Sequence, residues 1–506
     1  MTRIWHQDDA HLILAPDDTQ ASTLHDGEMT IQRRKEKQNG WVQKSFLELQ
    51  RRLTPASGQS PIDDREPGWK SHPWRWLAAF TTAGTLAACL LSGAAQAAVS
   101  STGTVSASSG SSAEINCLHI GDCYTPSQFR AAYGIQPLLN RGIDGRGETV
   151  VLPELAAKLP ASPQDFSDIR QDLARFDSQF GLPAAQLKVV TSLAGSASPW
   201  LADGEAVEDI EMVHAVAPDA TIRVILVSPT ATANAGNFTA ALTGVLRLGL
   251  SGSVISISGS FGEHFFTPAE VARLHSALQE ARDRHVTVVA SSGDTGVVSD
   301  EGTVKEVSLP ASDPLVLAVG GTTLVANPST GDYSGEMAWN TVSLAGSTAS
   351  AGGFSNLFSR PIYQDGVTGI GTNRGVPDVA ADADPVTGLA LVTSDGSQKY
   401  SLKGASGTSA ATPFWSALIA LADQEAGRHL GFVNAGIYRI GLSASYHSAF
   451  HDVTTGDNSV IVSSKLITGY QALSGWDPVT GWGSPNAQVL VPLLAHQVQP
   501  DDGQGL

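Results

Sequence analysis

Cysteine is nearly missing from this chain, with 3 residues in 506. That excludes a disulfide-built scaffold, so a hydrophobic core has to hold the fold. Charge is sparse as well: 16% of residues are charged against 42% hydrophobic. A chain so composed is not wholly disordered, because it has enough apolar surface to offset the entropy lost on folding. An excess of positive charge is also lacking. Residues 1–97 carry 11 Lys+Arg and 11 Asp+Glu, so the whole net charge of −18 falls on the remainder. An acidic body repels phosphate, which argues against nucleic acid as a partner.

Uncharged apolar runs are short, with one exception. From Trp76 to Val99 no residue is charged; Lys70 and Arg75 precede the stretch and Ala95-Gln96-Ala97 lies near its end. Residues 75–97 therefore read as a signal peptide cut after Ala97, too short to span a bilayer comfortably. Two other readings share its consequence. Leu86-Ala87-Ala88-Cys89 resembles a lipobox that would lipidate Cys89, and an uncleaved segment would serve as an anchor. In each case the chain beyond residue 98 leaves the cytoplasm, as a secreted or periplasmic protein. Residues 1–74 form a polar N-terminal extension of uncertain status, whose Arg33-Arg34 lies too far from the apolar run for a twin-arginine signal. Residues 98–116 read as a Ser/Gly/Ala linker. In an oxidising compartment Cys117 and Cys123 form either a disulfide or two free thiols. Residues 496–506 read as a disordered tail.

Between residues 117 and 495, apolar runs alternate with helical patterns: TVVLP, LKVV, TIRVILV, SVISIS, VTVVA, PLVLAV and LALVT. Near-continuous Val, Ile and Leu predict strands buried on both faces. The fold class is therefore α/β, a largely parallel central sheet flanked by helices on both faces. One helix announces its own start, since Thr267-Pro268-Ala269-Glu270 supplies an N-cap, a proline in the first turn and a capping-box acid.

Three segments hold candidate chemistry. Gly404-Ala405-Ser406-Gly407-Thr408-Ser409 leads into the apolar FWSALIALA, which sets Ser409 at a helix N-terminus. Unpaired N–H groups there stabilise negative charge, as suits a nucleophile, although serine is also a common cap. A serine needs a base, yet the histidine and aspartate motifs of a subtilisin-like triad are missing. His214 falls on the apolar side of a helix and reads as a packed core residue.

An acidic helix, Asp203 to Val216, offers another base. At 3.6 residues per turn Val207, Ile210, Val213 and His214 face the sheet, and Glu208, Glu211 and Ala215 point outward. Glu205 and Asp209 are adjacent on a third stripe that continues into Met212 and Val216. They are either acids favouring the helix dipole or a coupled carboxyl pair that serves Ser409. The third segment, Ser291-Ser292-Gly293-Asp294-Thr295-Gly296, follows the strand VTVVA. It is an ordinary turn or, if Asp294 is protonated, the donor of an oxyanion hole.

Taken together and in this order, the E-x-x-x-D helix, S-G-D-x-G and S-G-T-S-x-x-x-P resemble the sedolisin family, the serine-carboxyl peptidases with a subtilisin-like fold. LPASDPLVLAVGGT, GGFSNLFSRP and RGVPDVAADADPVTG support the likeness, which covers roughly residues 117–495. The resemblance implies that Ser409 is the nucleophile, Glu205 its general base and acid, Asp209 the carboxylate that orients Glu205, and Asp294 the oxyanion donor. It places Glu154, in VVLPEL, as a supporting acid. It also implies one structural calcium ion, held by Asp452 and Asp477 carboxylates and by the carbonyls of Val453, Leu473 and Gly475. Leu473 stands where glycine is usual, Gly259-Ser260-Phe261 where an aromatic often follows the strand, and only about 20 residues where a long pro-domain is usual.

A carboxylate base fits acid conditions, in which histidine is mostly protonated. The expectation is a secreted, monomeric endopeptidase that acts on polypeptides in acid and fades as Asp294 ionises. A non-catalytic binding or scaffold protein on the same fold is the alternative.

Overall fold

Six of the seven apolar runs become strands of one sheet: β1 Thr149–Leu155, β2 Gln186–Leu193, β3 Thr221–Val227, β4 Val254–Ile257, β5 Thr287–Ser291 and β6 Leu317–Ala326. Two more strands, β7 Tyr333–Ala338 and β8 Val379–Asp382, complete it. The computed structural model describes residues 123–157, 167–195, 201–299, 302–343, 346–394, 400–499 and 502. The N-terminal extension, the signal segment, the linker, Cys89 and Cys117 lie outside the described residues. Cys123 is disulfide-bonded.

The sheet order is β7-β6-β5-β4-β1-β3-β2, with β8 also paired to β6. Every pairing is parallel except β6 with β7. All residues of β4 and β5 are buried, which requires cover on both faces and accounts for their unbroken apolar character. Helices supply that cover: α1 Ile169–Phe180, α2 Gly204–Val216, α3 Ala235–Gly249, α4 Pro268–Asp283 and α5 Gly407–Ala426. Helices α2 and α5 pack on each other, as do α3 and α4. The start of α4 follows the capping box, with Glu270 N–H donating to Thr267 Oγ1 at 3.4 Å and Thr267 N–H to Glu270 Oε2 at 2.8 Å.

Trp415, in the middle of α5, is fully buried and donates from Nε1 to Ala380 O at 2.9 Å. Burying a large side chain of this kind contributes about 1.5–3 kcal/mol, so α5 is fastened to the sheet along its length rather than at its tip alone. That rigidity matters because its first turn carries Ser409.

Two expectations need correction. The run LALVT does not join the sheet; Ala390–Ser394 pairs antiparallel with Tyr400–Gly404 as a separate hairpin. That hairpin packs on α2, and it overturns the second expectation. Glu208 and Glu211 do not face water: they are 6% and 1% exposed. Glu211 Oε2 accepts from Val392 N at 2.8 Å, and Glu208 Oε2 from Ser406 N at 3.2 Å. Helix α2 is buried from Ala206 to Val216, so it has no solvent face for its acids to occupy. At the C-terminus a helix runs from Ala487 to Gln497, and Asp502 Oδ1 accepts from Arg439 Nη1 at 3.0 Å, which ties down part of the segment read as a loose tail.

Candidate active site

Parallel strands that end on one edge bring loops from distant parts of the chain together there. Glu154 lies near the end of β1, Ser258 just beyond β4, and Asp294 three residues beyond β5. The first turn of α5 faces the same loops. Gly407 opens that turn with φ +79°, and a Cβ on it would lie 2.6 Å from Asp294 Oδ2. Glycine alone avoids both the strained backbone and the clash.

The leading N–H groups of a helix need acceptors, and Ser406, at the N-cap, makes no side-chain cap bond. Asp294 fills that role from β5. Its Oδ1 accepts from Thr408 N and from Thr408 Oγ1, both at 2.8 Å. Ser409 is thereby released from capping, and its hydroxyl donates to Glu205 Oε1 at 2.7 Å. Glu205 sits in the first turn of α2, whose own N-cap is Asp203, accepting from Ala206 N at 3.3 Å.

Four residues after Ser409 stands Pro413, which has no N–H for the Ser409 carbonyl. Ser258 stands in that place, its single proton shared between Asp209 Oδ2 at 2.7 Å and Ser409 O at 3.2 Å. One hydroxyl thus links the backbone of the serine to the second acid of the E-x-x-x-D pair. Sequence reasoning missed Ser258, although the proline spacing carries the signal for a carbonyl that needs an outside donor.

Asp209 is fully buried and Glu154 is 4% exposed. Glu154 Oε1 and Asp209 Oδ1 are both buried without a donor, and because the two carboxyls interact, a proton held by one would serve the other. Burial, then the charges of Asp209, Asp203 and Glu205, push Glu154 well above the usual carboxylate range, so the shared proton belongs on Glu154. Burial also raises Asp209 strongly, with the Ser258 hydroxyl opposing it. Glu205 is raised by burial and by the charges of Asp203 and Asp209, while the Ser409 hydroxyl pulls the other way. Burial pushes Asp203 up to about 6 and Glu208 up to about 7, the latter against the opposing charge of Lys403. Asp294 is raised by burial against its two Thr408 bonds. Acids so crowded cannot all ionise, so the arrangement holds protons at pH values where isolated carboxyls have lost them.

His214 lies apart from this chemistry. It is fully buried, with Nε2 3.0 Å from Asp177 Oδ1 and 2.9 Å from Pro183 O, as a packed core histidine should be. Where an aromatic often follows the strand in the resembled family, Gly259 is backed by the ring of Phe238 from α3, itself 5.1 Å from that of Phe261.

Of the residues expected to hold calcium, Asp452 contacts Gly475 and Asp477 contacts Leu473. Asp452 Oδ1 accepts from Tyr446 OH at 2.9 Å and from Gly475 N at 3.0 Å, and Oδ2 from Ser474 Oγ at 2.8 Å. Asp477 Oδ1 accepts from Val479 N and Thr480 N, at 2.8 and 2.9 Å, and Oδ2 from Leu473 N at 3.1 Å. The Leu473 side chain is 59% exposed, so it takes up no room between the two acids. No group of three or more His, Cys, Asp or Glu side chains that could hold a metal occurs among the described residues. A site here would use two carboxylates plus main-chain oxygens, a donor set that suits a hard cation.

Comparison with known proteins bears on this geometry. Residues 191–433 match the subtilase family. Kumamolisin from Bacillus sp. (strain MN-32) is 35% identical over 393 residues, covering 74% of this chain and 65% of kumamolisin. The chain belongs to the sedolisin family. Sedolisin from Pseudomonas sp. (strain 101) is 39% identical over 206 residues, 39% of this chain and 33% of that protein. The solved structure of Pseudomonas sedolisin (serine-carboxyl proteinase) complexed with two molecules of pseudo-iodotyrostatin aligns with TM-score 0.62 and 27% identity, over 75% of this chain and 99% of that one. The match with kumamolisin spans about two thirds of that relative's length, and the match with sedolisin one third.

Proposed function

We propose that this sedolisin-family chain is an exported serine-carboxyl endopeptidase that hydrolyses polypeptides in acid through an acyl-enzyme on Ser409. The observation that carries this reading is the 2.7 Å bond from Ser409 Oγ to Glu205 Oε1, with no imidazole among the described residues bonded to that hydroxyl. Ionised Glu205 takes the hydroxyl proton as Ser409 attacks the scissile carbonyl, then returns it to the leaving amine. Asp209, held by Ser258 and by protonated Glu154, keeps the negative charge of the pair beside Glu205. The developing oxyanion is stabilised at the N-terminus of α5 and by the protonated carboxyl of Asp294. Full-length protein incubated with denatured protein at pH 4 should degrade it; failure to do so would favour the non-catalytic reading.

Opposite protonation demands give the pH dependence its shape. Glu205 has to be ionised, so activity rises with pH through its raised pKa. Asp294 has to be protonated, so activity falls as pH passes through its own raised value. Asp294→Asn keeps a neutral donor that cannot ionise, and should flatten the alkaline limb of the kcat/KM profile. Asp294→Ala should cost about 10²- to 10³-fold, the usual loss of one oxyanion donor. An unchanged alkaline limb in Asp294→Asn would remove the residue from this role.

Calcium is proposed at Asp452 and Asp477, with the carbonyls of Val453, Leu473 and Gly475 completing the donors. Bound there it would neutralise two acids and brace the loop 473–477, remote from the bond-breaking step. Chelator should lower the melting temperature of the wild type but not that of Asp477→Asn. A melting curve indifferent to chelator would dispose of the ion.

A further inference from the structure

The active site occupies the carboxyl edge of the sheet; a cleft with the opposite character lies beside the amino edge. It is a shallow depression open to solvent, about 440 Å³ in volume, lined by Arg284, His285, Arg428 and His429. The first pair follows α4 and leads into β5; the second follows α5. Cationic side chains suit the carbonyl ends of helices, so part of this charge has a local cause. Two of the four are already engaged. Arg428 Nη2 donates to Val498 O at 2.6 Å, and His429 Nε2 lies 3.2 Å from Ser253 Oγ and 3.3 Å from Glu148 Oε2. Asp423 Oδ1, beneath Arg428, accepts from Leu430 N at 2.8 Å while its Oδ2 has no partner, and on α4 Asp283 is paired with Arg282.

The other two are not. Among the described residues neither the Arg284 guanidinium nor the His285 ring has an ion-pair or hydrogen-bond partner. In a chain with 49 Asp+Glu against 31 Lys+Arg, a bare arginine beside two histidines and another arginine runs against the supply of counter-charge. His285 also holds φ +55°, a left-handed backbone that costs a non-glycine residue about 1 kcal/mol or more. The main chain of Gly431 presses against it: a Cβ on Gly431 would lie 2.9 Å from His285 Cα. Glu148 stands beside His429 and Asp423 beside Arg428, so Arg284 is the cation of this cleft with no acid against it, on a backbone the neighbouring main chain constrains.

We propose that this cleft binds a tetrahedral oxyanion, sulfate or phosphate, with Arg284 as its principal donor and the His285 and His429 rings as neighbouring N–H donors. Arginine presents forked donors to such an anion. The volume exceeds the roughly 30 Å³ that one water takes in the liquid by more than tenfold, which leaves room for a group esterified to the anion.

Calorimetric titration of the full chain at pH 5 and constant ionic strength tests this, with inorganic sulfate in one arm and glucose 6-sulfate in the other. A saturable one-to-one isotherm is expected, weakened at least tenfold in Arg284→Gln and unchanged in the distant Arg360→Gln. Tighter binding of the ester would assign the cleft to an esterified anion, and tighter binding of the inorganic ion to the free one. Heat that does not saturate in either arm, or equal isotherms for Arg284→Gln and the wild type, would overturn the proposal. Because Arg284 is exposed, melting curves of the variant should match the wild type and separate lost binding from lost folding.

Discussion

Ser409→Ala and Glu205→Gln should each lower kcat by about 10⁴- to 10⁶-fold, and the double variant should be no worse than the poorer single one. Groups that act as one unit fail together, because a serine without its base and a base without its serine are equally idle. The comparison discriminates well because the two substitutions have opposite structural costs. Ser409→Ala removes a small hydroxyl that is only partly buried. Glu205→Gln removes an acid from a cluster with Asp203, Asp209 and Glu154, so it relieves repulsion and should leave the melting temperature level or raised above pH 5. Loss of activity without loss of stability, measured on denatured protein by peptide release and on the enzyme by thermal melting, is the expected pair of results. A Glu205→Gln enzyme that keeps more than a tenth of wild-type activity would move the base elsewhere.

How much of this was legible beforehand depends on how local the information is. Strands β1, β3 and β5 could be read from apolar runs, because burial on both faces leaves its mark on every residue of the run. The serine turn, the E-x-x-x-D spacing and Asp294 each allowed an ordinary reading when taken alone, and it was their joint order, through the resemblance to the sedolisin family, that singled them out. Glu208 and Glu211 were misread since amphipathic reasoning assumes that a helix has a wet side. The hairpin of residues 390–404 removes that side from nearly 200 residues downstream, and no local pattern announces it. LALVT was misplaced for a related reason: five apolar residues suit a covering hairpin as well as a sheet strand. Ser258 stayed hidden because a single serine after a strand has many ordinary uses; only its distances to Asp209 and Ser409 single it out.

A second large effect is expected far from the nucleophile. Arg374 and Asp378 are fully buried and joined by two parallel bonds, Nη1 to Oδ1 at 2.7 Å and Nη2 to Oδ2 at 2.6 Å. Asp378 precedes β8 and also accepts from Ala318 N in β6 at 2.8 Å and from Tyr438 OH at 2.8 Å. The pair therefore joins two sheet strands to the C-terminal helices. Arg374→Leu would leave Asp378 with neutral donors and no counter-charge, and removing one partner of a buried pair costs about 3–5 kcal/mol. Denaturant unfolding should show that loss directly. Arg374→Leu combined with Asp378→Asn should recover a good part of it, since the neutral amide no longer needs the guanidinium and still receives the Ala318 N–H. Were the double variant as unstable as Arg374→Leu, the cost would lie in the space the arginine fills and not in its charge, and the pair would be a packing element rather than an electrostatic one.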